Sequence, residues 1–78
     1  MRVYSGSDRI AVIGESNFDE VNLQACARQL KKSFTVGKWG RGLYFTKEEA
    51  VEAYSAFTII FGRKVGRYLL EKTGIQPN

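Results

Sequence analysis

The sequence has no histidine, one cysteine, Cys26, and one proline, Pro77. A lone cysteine excludes an internal disulfide, and without histidine too few nitrogen and sulfur ligands remain for structural zinc. The same absence removes the commonest general base, the usual partner of a nucleophilic Ser or Cys, and the commonest metal ligand. The expectation is a protein that is not an enzyme, with no catalytic residue, no metal and no cofactor. The acidic residues gather as Glu15, Asp19 and Glu20 and as Glu48, Glu49 and Glu52. Both groups read as solvated turn and helix-start residues and not as paired catalytic carboxylates. Long apolar runs are also missing. The longest, near residues 56–61, is far short of a membrane span, and no signal-peptide core follows Arg2. A cytoplasmic protein without a membrane partner is expected, in a bacterial cytoplasm or, for a viral chain, that of the host.

What the chain does have is a modest basic excess. Twelve Lys and Arg against eight Asp and Glu give a net charge of +4, which favours polyanionic partners. Its 78 residues read as a single domain over 1–78. A domain this small buries only roughly 60% of its unfolded surface. With disulfide and zinc excluded, oligomerisation is the remaining way to add stability.

Arg9-Ile10-Ala11-Val12-Ile13-Gly14 is a β-branched, apolar run bounded by turn residues, and it reads as a strand. Val3-Tyr4-Ser5 extends it, with Gly6 marking a bend. Residues 17–34 fit two periods. As a helix, Asn17 caps with Glu20 three residues on, and Leu23, Cys26, Ala27, Leu30 and Phe34 share a face. As a strand, Val21, Leu23, Ala25 and Ala27 alternate with Asn22, Gln24, Cys26 and Arg28. Propensity alone favours the helix. Residues 35–45, with three glycines and the aromatics Trp39, Tyr44 and Phe45, suit a glycine-rich strand or hairpin. There Leu43 and Phe45 face one way and Tyr44 the other.

Thr46 then caps, with Glu49 completing a capping box, and a helical pattern runs over residues 47–72 to a stop at Thr73-Gly74, with Pro77 beyond. One straight helix over that span is about 39 Å long, against a diameter of roughly 30 Å for a compact chain of this size. Either Gly62 or Gly66 breaks it, or the overhang packs on a second subunit. The spacing of Gly62 and Gly66 reads as close packing or a kink.

Gly6 and Arg9, the strand at residues 9–13, the alternating residues 21–28, and Arg41-Gly42-Leu43-Tyr44-Phe45-Thr46-Lys47-Glu48-Glu49 form an ordered pattern across residues 6–57. In that order and spacing the chain resembles the transcriptional-coactivator positive cofactor four family, its small bacterial and phage members in particular. The resemblance implies an α+β fold: a curved antiparallel sheet followed by a helix, here a long C-terminal one, forming a homodimer through the helices with grooves for single-stranded DNA. Under it residues 21–30 are strand. Arg9 matches a basic position of the family, Arg41 matches another conservatively, and Phe18 falls near a stacking aromatic. Other basic positions of the family fall on Gly14, Cys26 and Asp19 or Glu20, and its second-strand tryptophan falls on Gln29.

Arg28, Lys31, Lys32, Lys38 and Arg41 put five positive charges within fourteen residues with no acid between them. Trp39 stands among them. A binder of unpaired strands needs cations for phosphate and flat rings for bases, and ring stacking contributes roughly 1–3 kcal/mol per base whatever the sequence. The competing assignments are Trp39 as core, Phe18 as a hydrophobic staple, and Cys26 as a small, half-buried apolar residue. Arg63, Lys64 and Arg67 form a second basic cluster late in the helix, for which the helix dipole is the first explanation and contact with nucleic acid the second.

The expected function is non-sequence-specific binding of single-stranded DNA in replication, recombination or transcription. Arg9, Phe18, Arg28, Lys31, Lys32, Lys38, Trp39 and Arg41 are its candidate contacts. Expected partners are single-stranded DNA, a second copy of the chain, and a polymerase or another replication or transcription protein. Two alternatives stand beside it: a small regulator that binds a polymerase through exposed aromatics, and, if residues 17–34 are helical, a βαβα module that binds duplex DNA or RNA.

Overall fold

The computed structural model describes residues 1–75; Pro77 lies outside them. Seven elements follow one another: β1 (Arg2–Ser5), β2 (Arg9–Ile13), α1 (Asn17–Leu30), β3 (Thr35–Gly37), β4 (Gly40–Thr46), α2 (Lys47–Phe61) and α3 (Arg63–Thr73). The fold is α+β, with an antiparallel four-stranded sheet in the order β1-β2-β4-β3. Two ββα units in tandem thus join along their second strands. Arg9 pairs with Thr46, Ile10 with Phe45, Ala11 with Tyr44 and Val12 with Leu43.

The alternation of the strands decides which face is covered. Val3, Ile10, Val12, Leu43 and Phe45 point into one core with Leu23, Cys26 and Ala27 of α1, Ala50, Ala53 and Phe57 of α2, and Leu69 of α3. Each large apolar side chain fully buried there stabilises the fold by about 1.5–3 kcal/mol. Phe45 and Phe57 meet edge to face, with ring centroids 6.1 Å apart. All three helices lie on this face, so among the described residues the other face of the sheet is left uncovered by helix.

Residues 21–30 are helix, not the strand that the resemblance implies. Local chemistry fixes the start: Ser16 Oγ accepts the Asp19 N–H at 3.1 Å, and Asp19 and Glu20 occupy the first turn. The cap is therefore Ser16 with Asp19, one residue ahead of the expected Asn17 with Glu20. Lys31, at φ 56°, closes the other end, and the Lys32 N–H reaches back to Ala27 O at 2.9 Å. The strand reading would place Val21 with Leu23 and Ala27 on one apolar face. Val21 is instead 63% exposed, whereas Leu23 and Cys26, three residues apart, are fully buried.

The single long C-terminal helix is likewise corrected to two. Thr46 and Glu49 form the expected capping box, with N–H to oxygen distances of 2.8 and 3.1 Å. The helix then stops at Gly62, whose φ of 109° and ψ of 168° fall in a region open essentially to glycine alone. From there α3 folds back along α2. Gly66 is buried against Thr58, and the Ser5 hydroxyl donates to Lys72 O at 3.1 Å, tying α3 to β1. The greatest extent of the molecule is 32 Å. The overhang that pointed to a second subunit is therefore absent, and with it the argument for pairing through the helices.

Candidate nucleic-acid interface

The open face of the sheet carries the side chains that alternate with the core. Tyr4, Ala11 and Tyr44 form one row across β1, β2 and β4, because Tyr4 and Tyr44 both pair with Ala11. Trp39, from the turn between β3 and β4, lies between the two tyrosines. Its ring is 5.8 Å from Tyr4 with planes 8° apart, and 6.3 Å from Tyr44 with planes 23° apart. The three rings close over Ala11, which is fully buried although it faces away from the helices. Each ring itself is only partly buried.

The hairpin is built to deliver the indole there. The Tyr44 hydroxyl donates to Gly40 O at 2.6 Å and accepts the Trp39 N–H at 3.1 Å, which pins the turn over the sheet. A Cβ on Gly37 would lie 2.6 Å from the Tyr44 ring, so glycine there makes the room in which that ring lies. Gly6, in the turn between β1 and β2, abuts the far edge of the indole. A shallow cleft results, lined by Gly6, Asp8, Arg9, Lys38, Trp39 and Tyr44.

Charge surrounds this cleft. Arg9 extends from the end of β2 on the open face and is exposed, and Lys38 Nζ lies 5.3 Å from the Trp39 ring centroid. Among the described residues neither takes part in an ion pair. Arg2, on the same face as Tyr4, is held by the Tyr4 hydroxyl at 3.3 Å and by Glu15 at 3.1 Å. The Met1 α-amino group, 2.6 Å from Glu15 and 2.7 Å from Asp19, holds both carboxyls below their ordinary range. Arg2 adds to the effect on Glu15, and the Glu15 N–H to that on Asp19.

The cations expected to act together are divided between two faces. Arg41 has the strand parity of Leu43 and Phe45, so it points to the helical side. There it meets Glu20 at 3.0 Å and lies 4.4 Å from the Phe34 ring centroid. Lys32 is also on that side, 3.7 Å from Glu49 and 4.8 Å from the Phe45 ring centroid. Glu49 is held below the usual carboxylate range by the Thr46 N–H and then by Lys32. Arg28 and Lys31 are exposed at the C-terminal end of α1, and Phe18, 69% exposed, is in its first turn. Of the expected contacts, then, Arg9, Lys38 and Trp39 share the open face, while Arg28, Lys31, Lys32, Arg41 and Phe18 belong to the helical layer.

Neither Tyr4 nor Tyr44 is among the contacts expected from the sequence. Tyr44 was legible from its alternation with Leu43 and Phe45, whereas the place of Tyr4 depends on a strand register that no local pattern encodes. Cys26 is buried, and burial pushes its thiol up to about 11, so it is a core residue. Among the described residues no cluster of acids or cysteine is placed to hold a metal ion. Nor is any helix among them long and apolar enough to cross a membrane. No family model, characterised protein or solved structure matches the chain.

Proposed function

We propose that the chain binds single-stranded DNA, without strong sequence preference, on the open face of its sheet, holding strands unpaired in replication, recombination or transcription. The observation that carries this reading is the row of Tyr4, Trp39 and Tyr44 on a face free of helices, beside Arg9 and Lys38. Unpaired bases offer flat apolar faces on a charged backbone, and this face offers partly exposed rings beside cations. A stacked base is worth roughly 1–3 kcal/mol there regardless of its identity, while Arg9 and Lys38 supply the charge that phosphate requires. Binding at this face needs only one copy of the chain.

The test is an anisotropy titration of labelled oligo-dT, oligo-rU and a duplex at two salt concentrations. Oligo-dT is expected to bind tighter than duplex and to weaken as salt rises, and the variant Arg9→Gln with Lys38→Gln is expected to lower the salt slope by about 1.4, at 0.7 per phosphate contact. Absence of binding to any of the three overturns the reading. A second reading, a duplex DNA or RNA binder, is favoured by the helical state of Asn17–Leu30; equal affinity for oligo-dT and duplex supports it instead.

A further inference from the structure

The break at Gly62 changes what Arg63, Lys64 and Arg67 mean. In one continuous helix they would lie late, where the dipole welcomes cations. In the fold they occupy the first turns of α3, the end where backbone N–H groups already concentrate positive charge. No acid lies in that first turn and no side chain caps it. Among the described residues, none of the three is in an ion pair. The helix thus gains nothing from these charges, and the dipole no longer accounts for them.

Their direction is set by packing. Gly66, Leu69 and Thr73 are the buried residues of α3. At 100° per residue, positions 64, 67 and 68 fall on the opposite side and position 63 on its flank. Arg63, Lys64 and Arg67 are exposed, and with Tyr68, 39% exposed, they line one open depression that Glu71 borders. We infer that this outward face of α3 is a second contact with nucleic acid, taking the phosphate backbone. The inference rests on the nucleic-acid reading above. A membrane is the poorer occupant, because Val65 and Tyr68 alone are apolar in the lining of this depression and Leu69 of α3 is fully buried in the core, short of the broad apolar face that inserts among lipids.

The experiment compares the wild-type chain with the triple variant Arg63→Gln, Lys64→Gln, Arg67→Gln. Binding to oligo-dT is followed by anisotropy across a salt series, with Trp39 emission read in parallel. The triple variant is expected to lower the salt slope by about 2 and the affinity by on the order of tenfold or more, since each lost phosphate contact accounts for about 0.7 in the slope. Trp39 quenching at saturation is expected to stay unchanged, and the thermal midpoint to stay level or rise, because cations leave the wrong end of a dipole. An unchanged slope overturns the inference, as does a lowered midpoint with unchanged affinity, which would make these side chains structural. An equal loss per charge removed in the variant Arg28→Gln, Lys31→Gln overturns it too, by showing that net charge alone is read. Binding of phosphatidylserine vesicles that is lost in the triple variant, with oligo-dT binding unaffected, would assign the face to lipid. Trp39 quenching reports the sheet face separately: a lowered slope without quenching would sink the stacking face and leave the α3 contact standing.

Discussion

Tyr44 holds the open face together at the scale of single atoms. Its hydroxyl bonds to both Trp39 N–H and Gly40 O, so one side chain closes the turn and positions the indole. Tyr44→Phe keeps the ring and removes both bonds, leaving the Trp39 N–H without its partner. The expected cost is about 1–2 kcal/mol, a fall of the thermal midpoint of roughly 4–16 °C for a domain of this size, read by circular dichroism. A midpoint within a degree of wild type would show that the turn is held by other contacts. At this scale the sequence was informative where neighbours along the chain decide. Trp39 stood out because glycines and cations flank it. Tyr4 became legible only with register, since its contact with Trp39 spans thirty-five positions.

Helix α1 turned on which local signal outweighs a period-two pattern. Alternation in residues 21–28 is real, but Ser16 and Asp19 cap a helix, its letters are good helix formers, and Lys31 provides the left-handed close. These are local forces, which is why propensity read them correctly and an argument from resemblance did not. The division between α2 and α3 was half legible. Gly62 and Gly66 were marked as the places where one helix of about 39 Å would fail, yet which of them breaks depends on α3 finding its place against β1 and Thr58. Gly62→Ala forces a side chain into a conformation that essentially only glycine adopts, and is expected to destabilise the fold by about 1–3 kcal/mol in urea denaturation. An unchanged denaturation midpoint would contradict the account of this break.

The whole molecule is a two-sided object. Two ββα units share one sheet, three helices cover one side, and the stacked rings close over the other. The glycine-rich hairpin and the capped α2 were legible because each depends on short-range chemistry, whereas the antiparallel sheet was expected only from the resemblance. The division of five clustered cations between the two sides was not, since a charge run in sequence says nothing about which side of a sheet each member faces. In the proposed reading, that division moves the weight of recognition from the run itself to the rings with Arg9 and Lys38. Trp39 is the only tryptophan in the chain, so its emission reports on that side alone. Titration of the intact protein with oligo-dT at low salt is therefore the most direct test: saturable quenching of Trp39 that follows the bound fraction is expected. Tight binding of oligo-dT with Trp39 emission unchanged would contradict it.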